Sequence, residues 1–418
     1  MKILINTLGS RGDVQPYLAL AVGLQQAGHQ VTLAAPQTFA AWIQAYGVAV
    51  APVQFNPQEA MQKLGQTHGG LRAMSAMLKI IREGMAVAQV DVWQTAQDTD
   101  FFIQSATGMG AMEIAALRSI PVAFAYLFPF APTRSFPMFW LPFRFSLGGG
   151  YNLLTHKLMS RLLWRFGGSL NNQWRTRLGL RPWRSENEMF AYARSLNTPF
   201  LYGYSPSLLP PPADWDEQQQ VTGYWFLTAV ADWQPPAALC RFLDSGPPPV
   251  YVGFGSMRLK NAERQTHVVL EALALSGQRA ILTTGWGGLK QGSAPDNVCF
   301  VEDIPHDWLL ARVTAVVHHG GAGTTAAGLR AGIPSIIAPF GGDQWSWADL
   351  VVKAGVGLCV GSGQRLRAKR LAAAMETAVT DPALRQRAKT FGDIIRAENG
   401  IGRAIQLIEN HARIQEVR

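Results

Sequence analysis

A run of small residues follows two adjacent histidines in the second half of the chain and leads into a predicted helix, Thr324 to Ala331. The histidines are His318 and His319, and the run continues through Gly320, Gly321, Ala322, Gly323 and Thr324. Small residues leave backbone N–H groups accessible at a helix N-terminus, and that end carries about half a positive charge, so it suits a bound anion. The segment therefore predicts a phosphate or diphosphate site.

The glycine pattern leaves other interpretations open. It is not the P-loop of nucleoside triphosphatases, because no Gly-Lys-Ser or Gly-Lys-Thr follows. Gly321 to Ala326 does fit the looser dinucleotide pattern G-x-G-x-x-A, with Asp343 about 20 residues later as a candidate ribose-binding acid. Against a dinucleotide site, Phe340 to Gly342 separate Asp343 from the strand before it. A tight glycine-rich turn without a ligand is the remaining alternative.

A carboxylate near the amino end is the second candidate for chemistry. Asp13 lies in the loop between a predicted strand, Lys2 to Thr7, and a predicted helix, Val14 to Gln26. An aspartate there could serve as a general base that faces a cleft. It could equally be the N-cap of the helix, a position at which Asp is preferred.

Both candidates are predicted at the same kind of place in a sheet. Short apolar strands alternate with helices in each half of the chain, which predicts parallel α/β sheets with right-handed crossovers. In such sheets the loops after the strands meet at the carboxyl edge, where ligands bind. The chain has 418 residues, which is too long for one compact core, so two domains are expected.

Proline-rich segments place the predicted domain boundary. Pro235-Pro236 and Pro247-Pro248-Pro249 lie where one half gives way to the other, and proline density is typical of linkers. We expect an N-terminal domain over residues 1–230, a linker over 231–245 and a C-terminal domain over 246–395. Residues 396–418 are expected to form a final helix.

Basic and aromatic residues are concentrated in one stretch of the first half. The net charge is +9, and no acidic residue occurs from Ile114 to Ser185. A basic face can attract nucleic acid, anionic lipid or an acidic substrate. Because the aromatic residues of 128–184 lie among prolines and not in a nucleic-acid-binding module, they favour an interfacial membrane contact over a nucleic-acid groove. A solvated basic helix beside an apolar pocket remains the alternative.

Composition disfavours several other classes of protein. The opening residues lack the basic start, apolar run and cleavage site of a secretory signal, so a cytoplasmic protein is expected. The three cysteines, Cys240, Cys299 and Cys359, are far apart and do not suggest a disulfide framework or a zinc site. Two Asp-x-Asp pairs, which begin at Asp98 and Asp214, lie in the first half and are interpreted as solvated loop acids.

The two motifs together resemble a known family. The run His318 to Thr325 and the segment Phe340 to Gln344 resemble the donor site of UDP-sugar-dependent glycosyltransferases of the GT-B fold. Within that family the chain is most similar to the sterol and lipid glucosyltransferases and to bacterial natural-product glycosyltransferases. The loop Gly9 to Pro16 matches the opening loop of that branch. The resemblance spans nearly the whole chain and is weakest from Gln54 to Leu243.

This resemblance implies a fold and a set of site residues. The fold would be α/β, with two Rossmann-like domains facing each other across a cleft and the last helix crossing back to the first domain. Asp13 would be the general base, because relatives use an aspartate or a histidine at this position. The donor-binding residues would be Ser10, Arg11, Gly12, Ser256, Trp286, Ile304, His306, His319, Gly321, Ala322, Gly323, Thr324, Asp343 and Gln344. The acceptor pocket would include Phe130, Phe136 and Trp140.

Several of these residues have a specific expected role. Ser256 would donate to a phosphate, and Trp286, which lies between glycines at a ligand edge, would stack on uracil. Ile304 and His306 would lie against the uracil and ribose.

The last two donor residues have a competing role. Asp343 and Gln344 would bond hydroxyls of the sugar, with capping of a helix that begins at Trp345 as the competing role. Of the two histidines, His319 is expected to contact the donor and His318 to be structural.

The reaction implied by the resemblance is an inverting transfer of a hexose, with glucose favoured, from a UDP-sugar to a hydroxyl of a lipophilic acceptor. Asp13 would deprotonate that hydroxyl, and fixed donors would stabilise the leaving UDP without a metal or other cofactor. The acceptor could be a sterol, lipid, flavonoid or polyketide. Alternatives are another GT-B enzyme, such as a rhamnosyl- or N-acetylglucosaminyl-transferase or a UDP-sugar epimerase, or a non-catalytic UDP-sugar-binding protein. Peripheral contact with the inner face of the membrane through 128–184 is expected, and nucleic-acid binding is not.

Overall fold

The computed structural model describes residues 1–54, 56, 59, 84–141, 145–230, 233–255, 262–284, 289, 295–302 and 304–416. Each half of the chain contains a wholly parallel sheet flanked by helices. This confirms the predicted α/β class with two units. We call the unit built on the first sheet the front unit and the other the rear unit.

The front sheet has seven strands in the order β3-β2-β1-β4-β5-β6-β7. Its central strands are covered on both faces, as parallel sheets require, and Ile3, Leu4 and Ile5 of β1 are all fully buried. The strands are β1 (Lys2–Asn6), β2 (Gln30–Pro36), β3 (Ala49–Val53), β4 (Phe101–Ser105), β5 (Val122–Tyr126), β6 (Phe200–Tyr202) and β7 (Gln219–Val221). Its helices are α1 (Arg11–Gln26), α2 (Ala40–Gln44), α3 (84–95), α4 (Ala111–Arg118), α5 (Gly149–Arg177) and α6 (Glu186–Ser195).

The rear sheet has six strands in the order β10-β9-β8-β11-β12-β13. The strands are β8 (Val250–Gly253), β9 (Ala280–Thr283), β10 (Val298–Val301), β11 (Ala315–His318), β12 (Ser335–Ile337) and β13 (Gly357–Cys359). The accompanying helices are α7 (Ala237–Asp244), α8 (Ala262–Ser276), α9 (His306–Leu310), α10 (Ala322–Ala331), α11 (Gln344–Lys353), α12 (Ala368–Thr380), α13 (Pro382–Ala397) and α14 (Gly400–Glu416).

The final helix, α14, packs on the front unit. Ala404, Ile408 and Ala412 are buried in one cluster with the apolar face of α1. A Cβ at Gly23 of α1 would clash with Ile401, so the two helices approach closely only because this position is glycine.

The two units also share a buried contact at the base of the cleft. Trp347 of α11 is fully buried, and its ring lies edge-on to Phe139 and Tyr204 of the front unit at centroid distances of 4.8 and 6.1 Å. Beside it, the Ser346 hydroxyl donates to the backbone oxygen of Phe139 at 2.8 Å. Burying aromatic surface between the units stabilises this relative placement.

A second link lies where α13 leads into α14. The hydroxyls of Ser205 and Ser207 donate to Glu398 Oε1 at 2.6 and 2.9 Å. The crossover to the last helix is therefore tied to the front unit by a carboxylate.

Several helices begin earlier than the sequence predicted. The helix expected from Val14 begins at Arg11, the one expected from Thr324 begins at Ala322, and the one expected from Trp345 begins at Gln344. In each case the apolar periodicity starts inside the helix, because the first turn is polar or glycine-rich and faces the sheet edge. No helix among the described residues is both long enough and apolar enough to cross a bilayer.

Candidate active site

The site begins at the amino end of α1, where Asp13 is held by the residue that caps the helix. Ser10 is the N-cap, and Asp13 is the third helical residue; the alternative that Asp13 itself is the N-cap is therefore wrong. The Ser10 N–H and hydroxyl both donate to Asp13 Oδ2, at 2.8 and 2.9 Å. Since the Asp13 backbone N–H faces the Ser10 side chain in return, the two residues form a capping box, which satisfies donors of the first turn. No described side chain or N–H donates to Asp13 Oδ1.

The loop before α1 is shaped around this carboxylate. Gly9 has φ +119°, and a Cβ there would lie 2.5 Å from Asp13 Oδ2. On the other side, the Thr7 hydroxyl donates to the backbone oxygen of Asp13 at 2.7 Å. Glycine is therefore required at position 9 for conformation and for space.

Burial changes the protonation of Asp13. Removal from solvent raises the pKa of the Asp13 carboxyl above its ordinary value, and the two hydrogen bonds from Ser10 partly oppose this. A carboxylate with a raised pKa is a stronger base than an exposed aspartate. Asp13 can therefore complete the capping box through Oδ2 and accept a proton through Oδ1.

The rear unit provides an uncapped helix N-terminus at α10. The N-cap is Gly321, in extended conformation with no side chain to bond the first turn. The first intrahelical bond of the segment runs from the Thr325 N–H to the Gly321 oxygen at 2.9 Å. The N–H groups of Ala322, Gly323 and Thr324 precede this bond, so they have no acceptor within the helix. Such groups with the helix dipole behind them suit phosphate oxygens.

His319 lies beside this helix end, and one of its ring nitrogens has no partner in the described part of the chain. Its ring is packed between Gly255 and Gly321: a Cβ at Gly255 would lie 2.9 Å from His319 Cε1, and one at Gly321 would clash with Nε2. The Nδ1 atom is buried and has no hydrogen-bond partner among the described residues. A buried unpaired nitrogen is destabilising unless a ligand or water satisfies it. His319 is thus suited to bond an anion held at α10.

The two histidines differ in their contacts. Burial, and next the charge of His306, lower the pKa of His319 to about 4, so its imidazole is neutral at pH 7. His318 is fully buried, its Nδ1 accepts the Gly320 N–H at 3.0 Å, and burial holds its pKa well below the ordinary value. His318 therefore shapes the turn through Nδ1, although its buried Nε2, like Nδ1 of His319, has no partner among the described residues.

Asp343 occupies the N-cap position of α11, but its side chain makes no capping bond. Its Oδ2 instead accepts the indole N–H of Trp347 at 2.9 Å. The pKa of Asp343 is raised to about 6, mainly by burial; the Trp347 bond opposes this shift, and the nearby charge of Asp13 contributes to it. Asp13 of the front unit and Asp343 of the rear unit are therefore close enough to interact electrostatically.

Gln344 holds the loop that precedes α11. Its Oε1 accepts the N–H of Phe340 at 2.7 Å and that of Gly341 at 3.3 Å. Gln344 was expected to bond hydroxyls of the sugar. Because its carbonyl oxygen is engaged by the backbone, that oxygen does not serve as an acceptor for the sugar.

The loop after β10 places Ile304 and His306 differently. Ile304 is buried in a small core with Leu309, so only its backbone is left for a ligand. His306 Nε2 lies 3.4 Å from the Tyr251 hydroxyl, and its charge acts on His319. His306 therefore belongs to the electrostatic environment of the site.

The other predicted donor residues are distributed as follows. Arg11 lies with its guanidinium 4.7 Å from the centre of the Trp42 ring, and Gly12 is exposed in the first turn of α1. Ser10 is engaged by Asp13 as described. Ser256 and Trp286 lie outside the described residues.

The front unit contains a packed aromatic wall, and all three predicted acceptor residues are half-buried in it. Phe130 packs 5.2 Å from Tyr126, and Trp140 packs 5.1 Å from Phe128. Phe136 lies edge-on to Phe139 at 6.3 Å, and Phe139 in turn contacts Trp347. Four further residues of this wall were not predicted from the sequence: Tyr126, Tyr202, Tyr204 and Trp347. An available signal was that β5 and β6 end in tyrosines at the carboxyl edge.

Other groups of the front unit bond the Asp-x-Asp pairs. Lys2 bonds Asp98 and Asp100, and the Thr133 hydroxyl and Arg134 N–H donate to Asp214 at 2.6 and 2.7 Å. Asp214 is thus a loop-holding acid and not merely solvated. Across the described part of the chain, no group of three or more His, Cys, Asp or Glu side chains is placed to hold a metal ion.

Comparison with known proteins covers both halves of the chain. Residues 3–137 match the glycosyltransferase family 28 N-terminal domain, and residues 270–399 match the erythromycin biosynthesis protein CIII-like C-terminal domain. The chain is 37% identical over 436 residues to a sterol 3-beta-glucosyltransferase of Cryptococcus neoformans var. neoformans serotype D, covering 98% of this chain and 27% of that protein. A sterol 3-beta-glucosyltransferase of Emericella nidulans is 35% identical over 425 residues, covering 98% and 30%. The chain thus spans less than a third of these relatives.

Solved structures show the same architecture over the full chain. The glycosyltransferase of kitacinnamycin superposes with a TM-score of 0.73 at 21% identity, covering 98% of this chain and 99% of that one. The calicheamicin glycosyltransferase CalG4 gives 0.66 at 18% identity, covering 98% of both chains. SsfS6 of Streptomyces sp. SF2575, complexed with thymidine diphosphate, gives 0.64 at 18% identity, covering 98% and 99%. At these identities the likeness establishes the fold.

Proposed function

Because the chain belongs to the glycosyltransferases of the GT-B fold, we propose that it transfers a hexose, with glucose favoured, from UDP to a hydroxyl of a lipophilic acceptor. One observation carries the proposal. The rear unit provides an uncapped helix end and a His319 Nδ1 with no partner among the described residues, and Asp13 of the front unit is close enough to raise the pKa of Asp343. The nucleotide diphosphate would therefore bind groups of the rear unit, and the incoming alcohol would meet Asp13 of the front unit.

Asp13 acts as the general base in this scheme. The alcohol donates its hydroxyl proton to Asp13 Oδ1 as its oxygen attacks the anomeric carbon, and the bond to UDP breaks on the opposite face. The hydrogen bonds from Ser10 fix the carboxylate through Oδ2, so the reacting oxygen keeps its direction. A positioned base of this kind contributes about 100-fold to 10,000-fold in rate. Attack from the face opposite the leaving group inverts the anomeric centre.

The leaving diphosphate is stabilised by fixed donors of the rear unit. Hydrogen bonds would stabilise the negative charge that develops on UDP as it leaves. They come from the N–H groups of Ala322, Gly323 and Thr324 and from the neutral imidazole of His319. Since these groups are in place before the reaction, they need no reorganisation as charge develops. We propose that transfer proceeds without a divalent cation or other cofactor, which activity in excess EDTA would test.

Asp343 holds the sugar. Its Oδ2 is oriented by the Trp347 N–H, and its other oxygen is placed to accept from a hydroxyl of the hexose. Because a protonated carboxyl accepts such a bond less well, Asp343 must be ionised for full donor binding.

The acceptor class follows from the front wall and from the relatives. The aromatic wall around Phe130, Phe136 and Trp140 suits a large apolar molecule that presents one hydroxyl. The relatives named as sterol 3-beta-glucosyltransferases support a sterol as the first acceptor to try.

Thymidine diphosphate is the second candidate nucleotide, because two of the structural relatives, SsfS6 and VinC, form complexes with it. Purified protein incubated with UDP-glucose, dTDP-glucose or UDP-N-acetylglucosamine and a panel of sterols, flavonoids and macrolides distinguishes these candidates by mass spectrometry. We expect a hexosylated sterol from UDP-glucose, with the β-anomer shown by NMR. If only dTDP-glucose gave a product, the donor nucleotide would be thymidine diphosphate and not UDP. If the chain bound UDP but formed no product with any donor, a non-catalytic UDP-sugar-binding protein would be favoured.

A further inference from the structure

Helix α5 carries two parallel rows of exposed side chains, one apolar and one basic. The apolar row is Leu154, Leu158, Leu162 and Phe166, which are 50, 54, 46 and 38% exposed. The basic row is Lys157, Arg161 and Arg165, all exposed. Residues four apart lie on one side of a helix, so each set forms a continuous row, and the apolar row is about 18 Å long at 1.5 Å per residue. Immediately before the helix, Leu147 is 73% exposed.

The charged side chains along α5 have one sign. No acidic residue occurs in α5 or anywhere from Ile114 to Ser185. Large apolar side chains exposed in a row mark a contact surface and not ordinary surface leucines. A cationic row beside an apolar row matches the chemistry of an anionic bilayer surface, where leucines enter the acyl boundary and cations meet the headgroups. In a contact between two copies, the basic rows would be brought together and would repel.

The buried side of α5 is bonded to the acceptor side of the cleft. Its Asn152 Nδ2 donates to the Arg134 backbone oxygen at 2.9 Å, and its Thr155 Oγ1 accepts the Met138 N–H at 2.8 Å. His156 Nε2 lies 3.1 Å from the Phe136 backbone oxygen. One helix therefore connects an exposed apolar and basic face to the loop that carries Phe136 and Trp140.

We propose that the exposed face of α5 docks on an anionic lipid bilayer and holds the acceptor loop at the membrane surface. The helix would lie in the interface, because no described helix is apolar enough to span. The docking goes beyond the proposed reaction. Its test uses no sugar nucleotide, so failure of one is distinguishable from failure of the other.

The experiment is sedimentation of the full chain with vesicles of phosphatidylcholine alone or with about 30% phosphatidylserine, at low and at physiological salt. The basic-row variant is K157Q/R161Q/R165Q, and its control is K369Q/K389Q/R413Q, three exposed cations on other helices. The apolar-row variant is L154Q/L158Q, with L117Q/L275Q as control, at leucines 41 and 56% exposed. Thermal unfolding checks that all four variants fold.

We expect the wild-type chain to bind the anionic vesicles more tightly than the neutral ones. Each row variant should lower the partition coefficient at least about tenfold, since a single surface cation or buried leucine is worth a several-fold effect. The controls should change it less than about twofold. Equal loss in row and control variants, or no binding by the wild-type chain, would overturn the proposal. So would a dimer in sedimentation velocity that dissociates in L154Q/L158Q, or tighter binding to a DNA duplex than to the vesicles.

Discussion

Asp13 in the front unit and Asp343 in the rear unit lie close enough for the charge of one to raise the pKa of the other. The first belongs to a capping box on α1, and the second precedes α11, more than three hundred residues later. A hexose between them would have a proton acceptor, Asp13, on the side of the attacking alcohol and a hydroxyl-binding group, Asp343, on the side of the donor.

The first prediction concerns this coupling. In Asp13→Asn the pKa of Asp343 should fall below its value of about 6, because a nearby negative charge no longer opposes ionisation. A carbon-detected NMR titration of the aspartate carboxyls measures this directly. Asp98→Asn, which removes an exposed charge paired with Lys2, is the control and should leave Asp343 unchanged. An unshifted Asp343 in Asp13→Asn would mean that the two carboxyls do not share the cleft.

The second prediction concerns Trp347→Phe. The phenyl ring keeps the packing against Phe139 and Tyr204, but the N–H that stabilises the charged form of Asp343 is lost, so the pKa of Asp343 should rise above about 6. The acid limb of activity should move to higher pH, and the KM for UDP-glucose at pH 7 should increase more than kcat falls. Trp308→Phe, at a partly buried tryptophan whose ring contacts Trp233 and Arg312 and not Asp343, should show neither change. An unaltered pH profile would remove the positioning role of Trp347.

The third prediction separates strain from site geometry at Gly9. Gly9→Ala places a Cβ against the Asp13 carboxylate at a positive φ, so turnover should fall at least tenfold and stability by about 1–3 kcal/mol. Gly47→Ala also has a positive φ, of +73°, but nothing within 4 Å of its Cβ. It should lose similar stability and keep its turnover. Equal kinetics in the two variants would show that the Asp13 loop does not need this shape.

The fourth prediction concerns His319→Ala. A hydrogen bond to a charged diphosphate is lost, so the dissociation constant of UDP should rise at least about tenfold. Calorimetry of UDP binding gives the number. His267→Ala, at an exposed position on α8, should bind as the wild-type chain does. If His319→Ala bound UDP normally, the diphosphate would have to lie elsewhere.

A further pH effect follows from the neutrality of His319. Its pKa of about 4 reflects burial and the charge of His306. A bound diphosphate would favour the protonated form and raise this pKa, so UDP binding should take up protons as pH falls toward 5. Binding heats measured in buffers of different ionisation enthalpy test this uptake.

Local patterns predicted the parts of the site that depend on neighbours in sequence. The turn before α10 and the loop before α1 were found because glycines and a carboxylate follow apolar strands, and strand ends meet at one sheet edge. The first turns of both helices were missed because they lack apolar periodicity. The capping box was missed for the same reason, since Arg11 and not Val14 begins the helix.

Long-range contacts set what the sequence could not predict. Ser346 reaches Phe139 across 207 positions, and Glu398 reaches Ser205 across 193. The role of Gln344 changed for a nearer reason, because its amide oxygen turns back to the N–H of Phe340 instead of facing the cleft. Such choices depend on which donors the folded loop brings within reach.

The measurement that bears most directly on the account is a comparison of kcat and UDP affinity in Asp13→Asn. The amide keeps the shape of the side chain but cannot take a proton from the acceptor. We expect kcat with UDP-glucose and a sterol to fall at least about 100-fold, while the dissociation constant of UDP stays within about twofold of the wild-type value. Full turnover in Asp13→Asn would contradict the assignment of the base and, with it, the proposed mechanism.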